Sequence, residues 1–188
     1  GTGTISLGAN TLDITNAAQV ANLVTVADGA VISSSTGGGT LTNAQPLALV
    51  AGTLKLASGA NSTLQVAREL RGDASAGQVV EVTGGVVALQ SGSNSHDSTL
   101  VRSGATLAAG ADNVLGAGGL TLDGGTLSAT AGFDTARAVV VQTAGSIEVG
   151  GGGARTLRLD GLVSGGALTK TGSGVLALTN TGNSHAST

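Results

Sequence analysis

The sequence lacks Cys, Met, Trp and Tyr, and its 188 residues include one Phe and one Pro. Globular cores usually take aromatic side chains as their largest fillers. We therefore expect a narrow core, filled in layers by Val, Leu, Ile and Ala. The absence of cysteine suits a protein that is exported unfolded through an oxidising compartment, where stray disulfides would trap it.

Charge is also sparse, with 8 basic and 11 acidic residues and a net charge of -3. Because there is no basic stripe and no aromatic platform for bases, nucleic-acid binding is disfavoured. No apolar run is long enough to cross a bilayer as a helix, so we expect no membrane insertion of this segment. The first residues, GTGTISLG, have no signal-peptide character. Since the chain starts and stops inside repetitive sequence, we interpret residues 1–188 as a fragment of a longer protein.

The sequence is rich in glycine and in short alternating runs. Its 33 glycines follow no strict collagen period, and 40% hydrophobic residues argue against disorder. Runs such as Thr53–Leu56 and Leu157–Asp160 alternate apolar and polar residues, which indicates strands. Roughly twenty such runs, spaced about nine residues apart, predict an all-β chain. The best helical candidate, Thr15–Leu23, is short.

Two stretches, 70–99 and 159–188, share one plan. Leu70 and Leu159 lie 89 residues apart, and the same shift places Asn94-Ser95-His96 on Asn183-Ser184-His185. An internal repeat of this length sets the architecture. We find no domain boundary, and predict one elongated domain over residues 1–188.

Two packings of such strands compete, a sandwich or barrel and a solenoid. Strands poor in aromatics would struggle to fill the gap of roughly 10 Å between the sheets of a sandwich. In a solenoid, small apolar residues stack in ladders and each coil buries its interior against the next. We therefore predict a right-handed parallel β-helix, since parallel crossovers are right-handed by strong preference. Coils of about 20 to 26 residues would make roughly seven to nine coils, a rod about 35 to 45 Å long.

Residues 166–178, GALTKTGSGVLAL, resemble the autotransporter-associated β-strand repeat of Gram-negative type V secretion passengers. Residues 104–110 and 112–127 resemble the continuation of that repeat. The resemblance covers 77–127 and 165–188, roughly half the chain, and the rest is similar only in style. One departure is Val80–Thr83, which stands where the repeat has its lysine and following glycine.

The resemblance implies a β-helical passenger at the bacterial surface or in the medium, reached through the periplasm and outer membrane. It implies a non-enzymatic stalk, adhesin or self-association rod, whose partner is the host cell surface or matrix, or another copy. It also implies a C-terminal outer-membrane β-barrel elsewhere in the parent chain. Because the repeat is associated with passenger export, a folding or export-promoting module is the alternative.

One tripeptide, Arg71-Gly72-Asp73, is a candidate receptor-binding site beside a predicted turn. Integrin recognition requires the tripeptide at an exposed loop tip, with the arginine and the carboxylate pointing apart. Some adhesive passengers carry this tripeptide, but turn-rich sequences also produce it by chance. Receptor binding and an incidental turn therefore both stay open.

The remaining candidate residues give no catalytic, cofactor-binding or metal-binding prediction. His96 and His185 are expected in surface loops, too far apart to share a metal. Asp13, Asp123 and Asp160 each follow a leucine. If they aligned on adjacent coils, they could serve a carbohydrate-active β-helix enzyme as acid and base. Otherwise they are solvated charges that keep the rod soluble.

Overall fold

The computed structural model describes residues 3–42, 45–49, 52–72, 77–151 and 154–188. Within these ranges there is no α-helix, and the one 3-10 helix is Asp112–Leu115. The strands are β1 Ile5–Leu7, β2 Thr11–Asp13, β3 Ala18–Val20, β4 Val24–Val26, β5 Val31–Ser34, β6 Gly39–Leu41, β7 Leu47–Leu49, β8 Gly52–Ser58, β9 Thr63–Val66, β10 Leu70–Gly72, β11 Gln78–Leu89, β12 Ser98–Arg102, β13 Ala105–Ala109, β14 Leu120–Asp123, β15 Thr126–Ala129, β16 Phe133–Thr135, β17 Val139–Val149, β18 Thr156–Leu159, β19 Val163–Thr171, β20 Val175–Leu178 and β21 Ser184–Ser187.

The strands stack in parallel into three ladders. Ladder 1 consists of two separate sheets, β1-β4-β7-β10 and, later in the chain, β16-β18-β20. Ladder 2 runs from β2 through β5, β8, β11, β12, β14, β17 and β19 to β21. Ladder 3 contains β3, β6, β9, β13 and β15 with the second halves of β11, β17 and β19. Each coil passes through the three ladders in turn, so the chain is a parallel β-solenoid.

About eight coils make up the solenoid. Coils one, two and three are β1–β3, β4–β6 and β7–β9, coil four is β10 with β11, and coil five is residues 94–109. Coil six is residues 112–129, coil seven is β16 with β17, and coil eight is β18 with β19. Paired residues on ladder 2 set the coil length, which ranges from 19 (Val82 to Val101) to 26 (Leu56 to Val82). At about 4.8 Å per coil, the stack is roughly 40 Å long.

One column of side chains shows how the core is built. On ladder 2, one inward position is occupied in successive coils by residues that are fully buried, and a fully buried side chain of this kind contributes roughly 1.5–3 kcal/mol. These residues are Ile32, Leu56, Val82, Val101, Leu122 and Val141. Because each coil covers its neighbour, small aliphatic residues close the core without aromatics.

Glycine is required where two coils come closest. Gly165 has φ +99°, and a Cβ there would collide with the Val141 carbonyl of the preceding coil. Gly116 has φ +85°, and a Cβ there would collide with the His96 ring. Only glycine adopts such conformations without strain.

The all-β solenoid predicted from the sequence is confirmed, and its right-handed sense stays a prediction. The helical candidate Thr15–Leu23 is wrong, because Ala18–Val20 pairs with β6 in ladder 3. Strand β11, Gln78–Leu89, serves two ladders and contains a register shift between Val82 and Gly84.

Candidate interaction surface

Ladder 3 presents two files of mostly small, uncharged side chains to solvent, which we call the ladder-3 strip. Along each strand the inward residues Leu64, Leu107 and Leu127 are buried, so the residues on either side face outward. Pairing then aligns those outward residues from coil three to coil eight. The first file is Thr63, Val86, Thr106, Thr126, Ser146 and Thr169, and the second is Gln65, Ala88, Ala108, Ser128, Glu148 and Thr171.

The strip is regular and nearly uncharged, with Glu148 its one charged member. Successive side chains in a file lie about 4.8 Å apart, and the files lie about 6.6 Å apart, two residues along a strand. Ser128 Oγ donates to Glu148 Oε2 at 2.7 Å, which ties the charge to its neighbour within the strip. The strip therefore offers repeated hydroxyl and methyl groups on a rigid sheet.

The candidate receptor tripeptide lies on ladder 1. Arg71 is the middle residue of β10, in register with Ala48 of the coil below. Its Nε donates to Glu69 Oε1 at 2.9 Å, and this contact raises the pKa of Arg71. The Gly72 N–H donates to Ser95 Oγ at 3.2 Å. Both residues thus belong to a paired strand.

Asp73, the third residue of the tripeptide, lies outside the described residues. The structure therefore covers the arginine and the glycine of the tripeptide but not its carboxylate. Receptor binding by Arg71, Gly72 and Asp73 stays a prediction, as does the interpretation of an incidental turn.

The three aspartates lie on separate parts of the rod. Asp13 is on coil one, Asp123 on coil six, and Asp160 follows β18 on coil eight. Each carboxylate binds neighbouring coils: Asp13 accepts from Ser33 Oγ and the Ser35 N–H, Asp123 from Arg102 and Thr143, and Asp160 from Thr179 and Arg158. Hydrogen bonds from Ser35 and then Ser33 lower the pKa of Asp13. The acid–base arrangement on adjacent coils is therefore not formed by these three.

His96 is buried, so its expected surface-loop position is wrong. Its ring is 0% exposed, and Nε2 lies 2.8 Å from Thr99 Oγ1. The pKa of His96 is lowered to about 4, first by burial and then by the Arg137 charge. Because buried and exposed side chains alternate along Asn94-Ser95-His96, an inward Asn94 could have predicted an inward His96 ring.

The local hydrogen bonding around the two Asn-Ser-His triplets is alike. Asn94 Oδ1 accepts the Leu70 N–H at 2.9 Å, and Asn183 Oδ1 accepts the Val163 N–H at 2.8 Å. His185 Nε2 lies 2.5 Å from Thr188 Oγ1, as His96 contacts Thr99. Each asparagine caps a strand of the coil before it. The internal repeat 70–99 and 159–188 itself stays a prediction.

Sequence reasoning missed two arginines that cross-link coils. Arg68 is 0% exposed and donates to the carbonyls of Thr42 and Val20, both at 3.3 Å. Arg137 donates to Asp112 Oδ1 at 2.7 Å, and its side chain is 7% exposed. The sequence could have predicted that Arg68 points inward, because it continues the every-second-residue pattern of the inward residues Leu64 and Val66.

Among the described residues, no group of three or more His, Cys, Asp or Glu side chains could hold a metal ion. In the same ranges, no helix is long and apolar enough to cross a membrane.

Comparison with known proteins gives one informative similarity. The chain matches no protein-family profile and no solved structure. It is similar to the "Adhesin BmaC autotransporter" of Brucella suis biovar 1 (strain 1330), with 38% identity over 123 residues. The match covers 64% of this chain but 3% of the adhesin. Together with the parallel β-solenoid, this similarity fits a segment of an autotransporter passenger, and both point to a non-enzymatic role.

Proposed function

We propose that this chain is a rigid adhesive segment of an autotransporter passenger, exposed at the bacterial surface or released from it. Its ladder-3 strip makes many weak polar contacts with a host cell surface or matrix, or with another copy. The observation that carries this proposal is the coil-by-coil register of outward hydroxyl groups over coils five to eight, from Thr106 through Thr126 and Ser146 to Thr169. The name of the similar adhesin supports it.

The physical basis is multivalency on a stiff support. One exposed hydrogen bond contributes about 1 kcal/mol, because it replaces a bond to water. Contacts aligned on a rigid rod add together, since the second and later contacts form at high effective concentration. The solenoid supplies this rigidity through its continuous aliphatic core. Such a strip recognises a partner that is rich in hydroxyl or amide groups.

The experiment uses paired charge substitutions on different ladders. The double variant Thr106→Lys and Thr126→Lys places ammonium groups on adjacent coils of the strip. The matched control, Thr121→Lys with Val140→Lys, puts the same charges on adjacent coils on the outward side of ladder 2. We expect the strip variant to lower attachment of chain-coated beads to host cells or matrix by about tenfold or more, since avidity amplifies the loss.

Equal attachment by the two double variants would reject ladder 3 as the contact surface. Analytical ultracentrifugation of the chain alone separates the two partner classes. Loss of self-association in the strip variant would assign the contact to a second copy, and loss of attachment alone would assign it to the host surface.

The alternative is a folding and export-promoting module. It is supported by the resemblance of residues 166–178 to a repeat associated with passenger export. Deleting the segment from its parent and measuring surface display tests it, because an adhesive segment would be dispensable for display. The C-terminal outer-membrane β-barrel of the parent stays a prediction.

A further inference from the structure

Coil six departs from strand geometry on ladder 1. Where β10 and β16 occupy this ladder in coils four and seven, coil six has the 3-10 helix Asp112–Leu115 followed by three residues up to Gly118. We call residues 112–118 the coil-six turn. Its placement depends on individual side-chain contacts, whereas coils one to four and coils seven and eight have paired strands on this ladder.

Side chains of the neighbouring coils hold the coil-six turn by its carbonyl oxygens. Asn94 Nδ2 donates to the Val114 carbonyl at 2.7 Å, and Thr99 Oγ1 donates to the Leu115 carbonyl at 2.9 Å. From the other side, Arg137 donates to the carbonyls of Asp112 at 2.9 Å and Gly116 at 3.2 Å. Coils five and seven thus clamp the turn between them.

His96 lies beneath this turn. Its carbonyl accepts the Ala117 N–H at 2.8 Å. Because Thr99 gives its one hydroxyl proton to Leu115, the His96 Nε2–H must donate to Thr99 Oγ1. In the neutral ring Nδ1 is then unprotonated, and this buried atom accepts no hydrogen bond within the described ranges, whereas the Leu70 backbone would favour a proton on the ring. A second proton would have to enter at Nδ1.

Two charged groups act on the ring, Arg137 of coil seven and Asp97. Arg137 already donates its Nε–H to Asp112 Oδ1 at 2.7 Å. Asp97, the next residue, accepts the N–H groups of Gly77 at 2.5 Å and Gln78 at 3.0 Å. A protonated ring would therefore be a buried cation near a guanidinium, while the one carboxylate that acts on it, Asp97, is engaged by backbone N–H groups. Burying such a charge without a counter-ion is costly.

We propose that His96 makes the coil-six turn an acid-sensitive joint of the rod, where protonation of the ring releases the turn while the other coils stay stacked. The lowered pKa of His96 agrees with a folded turn that disfavours the protonated ring. Burial and then Arg137 lower the pKa to about 4 from 6.5, and outweigh the opposite effects of the Leu70 backbone and Asp97. If opening restores the ordinary pKa, the population of the open turn rises roughly 20-fold between pH 7 and pH 5.

Hydrogen–deuterium exchange on the 188-residue chain tests the proposal, with rates corrected for the intrinsic effect of pH. We expect protection of amides in the coil-six turn, residues 112–118, to fall about 20-fold from pH 7 to pH 5. Amides of β5 and β8, in coils two and three, should change far less. His96→Gln keeps an amide donor for Thr99 and should abolish the pH response, whereas His185→Gln, at the similar triplet, should retain it.

A uniform loss of protection over all coils would overturn the proposal, and so would an unchanged response in His96→Gln. The comparison of coils within the unsubstituted chain needs no variant, so the proposal stays testable if His96→Gln folds poorly.

Discussion

Arg137 Nε lies 2.7 Å from Asp112 Oδ1, although 25 residues separate them in the chain. Burial tends to raise the pKa of Asp112, but hydrogen bonds from Arg137 and Thr135 outweigh it and lower that pKa. The same guanidinium donates to carbonyls of the coil-six turn. One side chain therefore joins coils six and seven where strand pairing is missing on ladder 1.

Removing this guanidinium should destabilise the rod strongly. Arg137→Ala removes the donor to the Asp112 and Gly116 carbonyls and the ion pair with Asp112, so we expect a loss of about 1–3 kcal/mol in the free energy of unfolding. Arg158→Ala is the control, because its ion pair with Asp160 is 49% exposed on the arginine side and solvent-exposed pairs add little to stability. Urea titration followed by circular dichroism measures both. Equal losses would contradict a special role for Arg137.

The aliphatic column should be sensitive to truncation. Leu122 is fully buried between Val101 and Val141, so Leu122→Ala should cost about 2–5 kcal/mol. Val140, on the same ladder, is 40% exposed, and Val140→Ala should cost less than about 1 kcal/mol. Thermal and urea unfolding of the two variants measure these losses of stability. Similar unfolding midpoints for the two variants would argue against a stacked core.

Gly165 should not tolerate a side chain. Gly165→Ala combines φ +99° with a collision against the Val141 carbonyl, so we expect a loss of about 1–3 kcal/mol. At Gly84, a Cβ would meet only the Ser58 carbonyl at 3.9 Å, which makes Gly84→Ala the matched control. Differential scanning calorimetry compares them, and a Gly165→Ala variant as stable as its control would refute the close coil contact.

Stability should fall as pH drops from about 6.5 toward 4. The pKa of His96 is about 4 in the folded chain and 6.5 ordinarily, so the unfolded chain binds more protons in this window and acid favours unfolding. The loss from this group reaches about 3 kcal/mol at pH 4. His96→Gln should flatten this part of the stability profile. The pKa of Asp112 is lowered in the folded chain, so protonation of this carboxyl adds a further loss of stability only below about its ordinary pKa of 3.8.

The receptor tripeptide can be tested apart from the ladder-3 strip. Because Arg71 contacts Glu69 within a paired strand, we expect Asp73→Glu to leave host-cell attachment unchanged. Abolished integrin-dependent attachment would instead assign receptor binding to Arg71, Gly72 and Asp73. Glu69→Gln, which frees the guanidinium, is the companion variant, and increased attachment there would favour the receptor interpretation.

The solenoid could be predicted without coordinates because its signal is local. Alternating runs such as Thr53–Leu56 encode a strand with one buried side, and the lack of aromatics permits only a thin core. Those two properties favour stacked coils over a sandwich, and they also place Thr106 and Thr126 outward on their strands.

The tertiary structure decided which coil lies on which, because ladder register depends on coil lengths that vary from 19 to 26 residues. Register aligned the hydroxyl groups of the ladder-3 strip and separated Asp13, Asp123 and Asp160. It also buried His96 under the coil-six turn, where Arg137 of the next coil faces it. Local alternation determines whether a side chain points in or out, but a contact between coils needs residues about twenty positions apart to be brought into line.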